Sequence, residues 1–486
     1  MAQISIEHLS FSYPSCFDPI FQDVTLTLDT SWKLGFIGRN GRGKTTFLRL
    51  LQGEYEYSGL IRSPVAFDYF PFPVKEPGRP TAAVLEQICP EAAGWQLERE
   101  LSLLGVDSGA LERPFCTLSN GEQTKALLAA LFLQEGHFLL IDEPTNHLDA
   151  AARAKVSAYL KRKSGFILVS HDRQFLDGCV DHILSLNRAT IQLQSGNYSS
   201  WQANFDQQQA RELAQNQKLQ KDIQRLEASA RRTSVWADRV EASKRGAADK
   251  GYVGHKAAKM MKRAKSVEAR QTKAIQEKSG LLKDLEETEP LRITPLAHHA
   301  PVLAAFQDVS VCYDGRTVCG PVRFEIRQGE RIALCGSNGC GKSSLLKLLC
   351  GADIPHTGTV TTAPGLVISQ VPQDAAGLSG SLDQFAQDAG IDQTLFKAIL
   401  RKMDFSRLQF EKDMAGYSSG QKKKVLLARS LCQQAHLYVW DEPLNFIDLY
   451  TRLQLEQLLG QCCPTLLFVE HDAAFRDGVA TRLIRL

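Results

Sequence analysis

Short apolar runs recur along the chain, and each ends in glycine or in polar residues. WKLGFIG and RIALCG end in glycine and are followed by the helical patterns KTTFLRLLQ and KSSLLKLLC. HFLLIDEP, FILVSHD, HLYVWDEP and LLFVEHD are further apolar runs that end in polar residues, as buried strands do. The pattern predicts α/β domains whose ligand chemistry lies at the carboxyl ends of parallel strands.

Four motifs occur twice, in the same order. GRNGRGKTT, LSNGEQ, LIDEPTNHLD and LVSHD in the first half match GSNGCGKSS, YSSGQK, VWDEPLNFID and FVEHD in the second half. Equivalent residues lie 298 to 300 positions apart, so whole domains are repeated. We predict two homologous domains, residues 1–203 and 302–486, joined by a charged linker at 204–301.

The linker contains two runs whose seam residues alternate four and three positions apart, the spacing of a coiled-coil stripe. Glycines at positions 246, 251 and 254 separate the runs. We therefore predict an antiparallel α-helical hairpin with its tip at about 245–256 and arms of about 35–40 residues, which reach roughly 50–60 Å. The seams are Leu219, Ile223, Leu226, Ala230, Thr233, Ala237 and Val240, then Met260, Ala264, Val267, Gln271, Ala274, Lys278, Leu281 and Leu285.

The composition is that of a globular protein, with 43% hydrophobic and 23% charged residues. No apolar run approaches the roughly 18 residues of a membrane-spanning helix, and MAQISIEHLS does not resemble a signal peptide. Twelve cysteines with irregular spacing and no C-x-x-C pair favour reduced core thiols over disulfides or a metal site. These features predict a cytoplasmic protein without a membrane domain.

Positive charge is concentrated in the linker. From Arg211 to Lys283 there are 19 Lys and Arg against 8 Asp and Glu, a net charge of +11. Because the whole chain carries +3, the remainder carries −8. A solvated coiled coil is the alternative for any single lysine, but such a coil mixes charges and does not explain the sign. A narrow basic projection suits RNA phosphates.

Each half carries the P-loop pattern G-x-x-x-x-G-K-[ST] between a predicted strand and a predicted helix. Its glycines let backbone N–H groups face phosphates, its lysine reaches the outer phosphates, and its hydroxyl ligates magnesium. A glycine-rich turn is the alternative for one isolated copy. The predicted ATP-binding residues are Gly38, Asn40, Gly41, Gly43, Lys44, Thr45 and Thr46, then Gly336, Asn338, Gly339, Gly341, Lys342, Ser343 and Ser344.

An acidic pair ends a predicted strand in each half. Asp142 and Asp441 follow four apolar residues, where a carboxylate can orient Mg²⁺. The adjacent Glu143 and Glu442 can polarise the attacking water as general bases. The alternative is a solvated Asp-Glu pair that caps the strand, but a proline follows in both copies and the P-loops are present.

His171 and His471 follow apolar runs, 29 and 30 residues after the aspartates. A histidine in such a place is more often structural than catalytic. Its equivalent position in both halves favours a catalytic hydrogen bond to the γ-phosphate or to the water.

The motifs LSNGEQ and YSSGQK each open a predicted helix, 23 residues before the acidic pair. A polar helix N-terminus can receive an anion. Simple N-capping by Ser119 is the alternative for one copy. Two copies in the same place favour a phosphate that is supplied across an interface.

With these four motifs, the chain resembles the ATP-binding-cassette superfamily over nearly all of both halves. The resemblance implies two ATP molecules between head-to-tail domains, each held by one P-loop and the opposite signature helix. Tyr13 and Tyr313 lie at the family's adenine-stacking position, with ordinary core tyrosines as the alternative. The first site would use Lys44, Asp142, Glu143 and His171 with Ser418 and Gly420. The second site would use Lys342, Asp441, Glu442 and His471 with Ser119 and Gly121.

Two cassettes, a charged linker and DEPTNHLD resemble the ABC-F subfamily, and WKLGFIGRNGRGKTTFLRLLQ, GFILVSHDR, LYVWDEPLNFID and PTLLFVEHD are most similar to its Lsa and Vga antibiotic-resistance group. The resemblance implies a monomeric ATPase that binds the exit site of the bacterial 70S ribosome in its ATP-bound form. It would protect the peptidyl-transferase centre from lincosamides, pleuromutilins and streptogramin A, and ATP hydrolysis would release it. A general ABC-F translation factor that regulates elongation is the alternative.

The same resemblance places the linker tip near 23S rRNA and the peptidyl-site tRNA. Candidate RNA contacts are Lys244, Arg245, Lys250, Tyr252, Val253, His255 and Lys256. The tip is short for the group, so protection would work by shifting tRNA and rRNA.

The chain departs from the family at the residue after Y-x-P. The second half has the usual Gln373, but the first half has Phe72, which cannot bridge magnesium and water. Asn120 and Ser419 replace the usual second signature residue, which is a milder change. We therefore expect two unequal sites, with the first hydrolysing ATP poorly or holding its metal differently. The predicted metal set is Thr45, Asp142, Ser343, Gln373 and Asp441.

Overall fold

The computed structural model describes residues 2–13, 19–146, 148–187, 190–242, 291–313, 316–337 and 339–486. Two compact units divide the chain: one comprises Met1–Ser199 and Thr288–Leu486, and the other Ser200–Glu287. The first unit contains both predicted cassettes, which therefore form one body. The second unit contains most of the linker.

The first cassette alternates strands and helices as the apolar runs predict. Its strands are β1 Gln3–Phe11, β2 Phe21–Asp29, β3 Lys33–Gly38, β4 Ser58–Arg62, β5 Ala66–Phe70, β6 His137–Asp142, β7 Phe166–Val169, β8 His182–Asn187 and β9 Thr190–Ser195. Its helices are α1 Lys44–Leu51, α2 Thr81–Ile88, α3 Gly94–Leu103, α4 Asn120–Leu131, α5 Ala150–Arg162 and α6 Arg173–Cys179, with 3-10 turns at Ser108–Ala110 and Phe115–Thr117.

The linker begins with one long helix, α7 Tyr198–Ala242, of 45 residues. At 1.5 Å per residue it is about 68 Å long, and it contains the whole first heptad seam. The second seam and the tip lie outside the described residues. After them, Leu291 and Ile293 are buried in a core with residues of the second cassette.

The second cassette repeats the pattern of the first. Its strands are β10 Val302–Tyr313, β11 Arg316–Arg327, β12 Arg331–Cys335, β13 His356–Thr362, β14 Ile368–Val371, β15 Leu437–Asp441, β16 Leu466–Val469 and β17 Arg482–Arg485. Its helices are α8 Lys342–Leu349, α9 Leu382–Asp388, α10 Gln393–Lys402, α11 Arg407–Glu411, α12 Ser419–Cys432, α13 Leu449–Cys462 and α14 Ala473–Val479, with a 3-10 turn at Met414–Gly416.

Each cassette has a central, mainly parallel sheet and a three-stranded antiparallel sheet. The central sheets have the orders β5-β6-β7-β3-β8-β9 and β14-β15-β16-β12-β17, and β9 is the strand that pairs antiparallel. The antiparallel sheets have the orders β2-β1-β4 and β11-β10-β13. The predicted α/β fold with tandem P-loop domains is confirmed. In this arrangement the P-loop strand and the strand of the acidic pair are separated by one strand, so their carboxyl ends lie at the same edge.

The central strands are buried on both faces, as their continuous apolar runs require. The strand β15 is fully buried, and Trp440 and Tyr438 are among the largest buried side chains. The described cysteines are free thiols. The prediction of core thiols is wrong for some of them, because Cys116, Cys462 and Cys463 are exposed.

Candidate ATP-binding sites

The first P-loop turns sharply between β3 and α1. Gly43 has a φ of 105°, and a Cβ there would lie 2.5 Å from Ile20, so only glycine fits this left-handed position. The Nζ atom of Lys44 donates to Gly38 O at 2.7 Å and to Arg39 O at 3.2 Å. Burial lowers the pKa of Lys44. The ammonium thus bonds carbonyls of its own loop, and phosphate oxygens can replace these carbonyls as acceptors.

The second P-loop has the same geometry. Gly341 has a φ of 90°, and Lys342 Nζ donates to Gly336 O at 2.9 Å and to Ser337 O at 2.7 Å. The predicted Asn338 lies outside the described residues. The two loops are thus equivalent as phosphate cradles.

The predicted magnesium ligands lie together at the first site. Thr45 Oγ1 donates to Asp142 Oδ2 at 2.7 Å, and the Tyr69 hydroxyl donates to the same oxygen at 2.9 Å. Burial and the Asp142 carboxylate raise the pKa of Tyr69, so the phenol remains a donor. A hydroxyl and a carboxylate in contact are a donor set that fits Mg²⁺.

At the second site, Ser343 hydrogen-bonds Asp441. The Asp441 carboxyl is buried and its Oδ1 atom has no hydrogen-bond partner among the described residues. Burial raises the pKa of Asp441. An unpartnered buried carboxylate oxygen beside a hydroxyl fits a cation, which would neutralise its charge. Ser343, Asp441 and Gln373 would hold Mg²⁺ here, and the ion would stabilise negative charge on the transferred phosphoryl group.

The two candidate general bases share an unusual backbone. Glu143 and Glu442 have φ values of 50° and 46°, in the left-handed region that is rare for residues other than glycine. Their N–H groups donate to Val169 O at 2.9 Å and Val469 O at 3.0 Å. Both glutamates thus share one strained backbone turn, and such local strain is typical of functional sites.

The environments of these two carboxyl groups differ. Burial and then Asp142 raise the pKa of Glu143 to about 8, and its Oε1 atom accepts no hydrogen bond from the residues that the structure describes. At Glu442 burial also raises the pKa, but hydrogen bonds from His471 and Gln373 outweigh it and lower the pKa to about 2. The Asn445 amide donates to the other Glu442 oxygen. At neutral pH, Glu442 is therefore ionised, whereas the surroundings of Glu143 favour its protonated form.

Both predicted histidines face their glutamates. His171 Nε2 lies 3.2 Å from Glu143 Oε1 and 3.0 Å from Asn40 Oδ1. Burial and then Lys44 hold the pKa of His171 well below its usual range, so the neutral ring donates through Nε2 to the Asn40 oxygen. His471 Nε2 lies 3.4 Å from Glu442 Oε1.

The two candidate adenine-stacking tyrosines are placed differently. Tyr313 is 42% exposed and its hydroxyl lies 3.1 Å from Ser344 Oγ. Tyr13 is half-buried, packs edge-on against Phe11 and Tyr55, and its hydroxyl lies 3.0 Å from Thr46 Oγ1. The exposed ring of Tyr313 is the more available of the two for a base.

Both signature serines cap their helices. Ser119 Oγ accepts from Glu122 N, and Ser418 Oγ accepts from Gln421 N, each at 3.3 Å. N-capping, the alternative considered for one copy, is thus present in both. Ser119 also lines the second site, so capping and facing an anion occur together there.

The second site is an open cavity of about 830 Å³ between the two cassettes. Its walls include the signature residues of the first cassette and the P-loop, Gln373, Glu442 and His471 of the second. The predicted cross-cassette combination is therefore brought together. The cavity is large enough for a nucleoside triphosphate. The predicted site residues that line this cavity are Ser119, Gly121, Tyr313, Gly339, Gly341, Lys342, Ser343, Ser344, Gln373, Glu442 and His471.

Residues of both cassettes are in contact at the first site. Asn40 Nδ2 donates to Phe446 O at 2.8 Å, and a Cβ on the signature Gly420 would lie 3.4 Å from the same amide. Arg39 and Arg42 approach Asp404 Oδ1 to 3.6 and 3.3 Å. Polar contacts thus link the P-loop of the first cassette with the second cassette.

Phe72 occupies the position at which the first cassette departs from the family's glutamine. It is 36% exposed and lines a separate cavity of about 530 Å³ with Asp142, Glu143 and Thr124. No amide is available from this position, so Glu143 lacks the donor that Gln373 gives to Glu442. The different residue at this position explains part of the difference in pKa.

Several residues with a place in these sites were not predicted. For Tyr69, Asp404 and Lys423 the role depends on contacts between distant segments, whereas Asn445 bonds a residue of its own segment, Glu442. Pairwise comparison of the two halves would have signalled some of them, because Lys423 aligns with Thr124 and Asp404 with Gly105. The unpredicted residues are Tyr69, Asp404, Lys423 and Asn445. The predicted RNA contacts at 244–256 lie outside the described residues.

A sequence profile described as "ABC transporter" matches residues 21–146 and 319–445. These matches cover both P-loops and both acidic pairs. The chain belongs to this family of ATP-binding-cassette proteins and is an ATPase.

Within the family, the chain resembles the ABC-F subfamily, as its motifs predicted. It is 29% identical to the "Ribosome protection protein VmlR" of Bacillus subtilis (strain 168) over 476 residues, which covers 96% of this chain and 84% of that protein. It is 26% identical to the "Energy-dependent translational throttle protein EttA" of Haemophilus influenzae over 522 residues, which covers 96% of this chain and 88% of that protein. The likeness to the Lsa and Vga group is consistent with the first of these relatives.

The fold also resembles a solved structure over almost the whole chain. That structure is the complex of archaeal ribosomal stalk protein aP1 and archaeal ribosome recycling factor aABCE1, with a TM-score of 0.63 and 18% identity. The match covers 98% of this chain and 87% of that one. In the part of the chain that the structure describes, no helix is long and apolar enough to cross a membrane.

Proposed function

We propose that this protein is a ribosome-associated ATPase that protects the peptidyl-transferase centre of the bacterial 70S ribosome from antibiotics. Its ATP-bound form would bind the exit site and displace lincosamides, pleuromutilins and streptogramin A, acting through 23S rRNA and the peptidyl-site tRNA. The relatives support this proposal, because one is named a ribosome protection protein and another a translational throttle. The net charge of +11 between Arg211 and Lys283 supports an RNA partner.

We propose that ATP switches the two cassettes between an open and a closed state. This proposal rests on the open cavity whose walls come from both cassettes. An ATP molecule there contacts Lys342 and Ser343 on one side and Ser119 on the other. Because ATP contacts both walls only when they approach each other, it shifts the population toward a closed pair of cassettes. Hydrolysis removes the bridging phosphate, and the pair opens. Affinity for the ribosome then differs between the two states.

In each site the candidate residues have distinct roles. The P-loop lysine and backbone N–H groups hold the phosphates, and the hydroxyl and aspartate hold Mg²⁺. Glu442 is the general base of the second site because it is ionised and fixed by three donors. Glu143 is placed equivalently, but burial and Asp142 favour its protonated form.

Cell-free bacterial translation tests this function. Reactions are inhibited separately by a lincosamide, a pleuromutilin, a streptogramin A or a tetracycline, and purified protein is titrated in. We expect rescue from the first three drugs and none from the tetracycline, which binds elsewhere on the ribosome. Rescue that survives Lys342→Ala would contradict an ATP-dependent mechanism, and rescue from none of the drugs would contradict protection.

A general translation factor that regulates elongation is the second candidate, because a translational throttle is among the relatives. It predicts ATP-dependent ribosome binding without rescue from any drug. Sedimentation through a sucrose cushion separates the two candidates from a protein that does not bind ribosomes. With Glu143→Gln and Glu442→Gln combined, we expect ATP to trap the protein in the ribosomal pellet at physiological salt, and recovery in the supernatant would contradict the switch.

A further inference from the structure

The second cassette contains a buried lysine that neither the nucleotide site nor the core explains. Lys423 lies in the signature helix α12 and is 2% exposed. Its Nζ atom donates to Pro372 O at 2.8 Å, to Gln373 O at 3.3 Å and to Asp441 O at 3.0 Å. A lysine ammonium has three N–H donors, and here all three are directed at backbone carbonyls.

These carbonyls belong to two segments that are far apart in the sequence. Pro372 and Gln373 form the turn after β14, and Asp441 ends β15. Lys423 therefore joins the turn that carries Gln373 to the strand end that carries the acidic pair. Charged hydrogen bonds in a buried place are stronger and more directional than contacts at the surface.

The first cassette has a different arrangement at the equivalent place. Thr124 stands where the second cassette has Lys423, and Phe72 stands where it has Gln373. Thr124 has one short hydroxyl and no charge, and it lines the cavity of about 530 Å³ beside Phe72 and Glu143. The lysine and the glutamine thus occur together in one cassette, and both are replaced in the other.

We propose that Lys423 is a positioning residue for ATP hydrolysis at the second site. Its ammonium fixes the Pro372–Gln373 turn against the end of β15, so that the Gln373 amide reaches Glu442 and the metal position. This inference requires only that the chain is an ATPase and is independent of any role on the ribosome.

A positioning role predicts that Lys423 acts through Gln373. We compare Lys423→Thr, Gln373→Ala and the double variant in the full-length chain, after subtracting the ATPase rate that Glu442→Gln retains. Each single change is expected to lower kcat by roughly 10- to 100-fold, with the KM for ATP changed by less than about twofold. Because both changes disturb the same group, the ATPase rate of the double variant should be at least about half that of the slower single variant.

Threonine is chosen because the first cassette holds it at the same position, so the fold tolerates it. The matched control is Lys422→Thr, because Lys422 is the neighbouring lysine and makes only a surface contact of 3.4 Å to Ala376 O. The control should keep its kcat within about twofold. Thermal melting reports whether each variant is folded. If Lys423→Thr does not fold, Lys423→Gln, which keeps two N–H donors and a long side chain, enters the same cycle.

Three results would overturn the proposal. The first is a kcat for Lys423→Thr equal to that of the parent protein. The second is a double variant whose loss is the product of the two single losses, which means that the two residues act independently. The third is a rise in KM without a fall in kcat, which would make Lys423 a binding residue. None of these results depends on ribosome binding, so they leave the proposed function to its own test.

Discussion

The two candidate general bases of this protein have the same sequence context and opposite electrostatic environments. Glu143 and Glu442 each follow an aspartate at the end of a buried strand, and each has a φ near +50°. Glu442 has its pKa lowered to about 2 by hydrogen bonds that outweigh its burial, whereas burial and Asp142 raise the pKa of Glu143 to about 8. Among the donors to Glu442, Gln373 has no counterpart in the first cassette, where Phe72 stands at the equivalent position.

This comparison shows that a complete motif does not define a complete site. The carboxylate of Glu442 has donors from Gln373, Asn445 and His471. The His171 ring, in contrast, is shared with Asn40, which itself bonds Phe446 O. We infer that the second site hydrolyses ATP and that the first site mainly holds it.

The largest expected effect is on ATP turnover. Glu442→Gln should lower the steady-state ATPase rate by about 100-fold or more, because it removes an ionised general base. Glu143→Gln is the matched control and should leave the rate within about twofold. Phosphate release at saturating ATP measures both. Equal losses in the two variants would contradict unequal sites.

A second prediction exchanges the residues that distinguish the sites. Gln373→Phe should lower kcat by roughly tenfold or more, because it removes an amide donor from Glu442. Phe72→Gln, made in the Glu442→Gln background, should raise the residual rate, because it supplies the missing donor to Glu143. The assay is again phosphate release. If Phe72→Gln leaves the residual rate unchanged, residues other than Phe72 also limit hydrolysis at the first site.

A third prediction concerns stability and pH. The folded pKa of Glu143 lies above its ordinary value of 4.5, so ionisation opposes folding as the pH rises from about 4.5 to about 8. Glu143→Gln should therefore raise the melting temperature more at pH 8.5 than at pH 5. Glu442 has the opposite sign: its stabilisation is present above about pH 4.5 and is lost as the pH falls toward 2.

Glu442→Gln should accordingly lower the melting temperature at neutral pH and have less effect near pH 4. Shifts of a few degrees are expected, since 1 kcal/mol moves the midpoint of a domain of this size by about 2–4 °C. Differential scanning fluorimetry of ATP-free protein measures both variants. Shifts of the same sign and the same pH dependence would show that the two carboxyl groups have similar environments.

The smallest expected effect concerns the contact between the cassettes at the first site. Asp404 pairs with Arg39 and Arg42 and has a φ of 67°, which asparagine also tolerates. Asp404→Asn should lower stability by roughly 0.5–1 kcal/mol at low salt and by less at high salt. The control is Asp383→Asn, which removes a pair to Lys397 within the second cassette.

Melting at low and high salt, with and without ATP, measures this contact. We expect Asp404→Asn to weaken the stabilisation by ATP, and Asp383→Asn to leave it unchanged. An effect of ATP that is the same in both variants would mean that the Asp404 pairs do not contribute to closing the first site.

The sequence was sufficient to predict the α/β architecture, and the structure brings many of the candidate site residues together. Repetition at a fixed offset defined two cassettes, and apolar runs that end in Asp142 and Asp441 defined the strands that carry the metal ligands. Phe72 also signalled, from sequence alone, that the sites differ.

The electrostatics could not be predicted in the same way. The pKa values of Glu143 and Glu442 depend on burial and on donors such as Gln373, which are set by packing between segments. The contact of Lys423 with the carbonyls of Pro372 and Asp441 joins residues up to 51 positions apart, and no local pattern encodes it. The helix that contains the first heptad seam was predictable, because the periodicity of a helix is a local property of the sequence.

The most direct test of unequal sites is a single-turnover experiment with ATP bound at both sites. Protein is saturated with labelled ATP, unbound nucleotide is removed, Mg²⁺ is added, and the ADP formed per chain is followed over time. We expect two phases of similar amplitude, with one equivalent of ATP hydrolysed promptly and the other hydrolysed much more slowly. A single phase that converts both equivalents at one rate would contradict the inequality of the two sites.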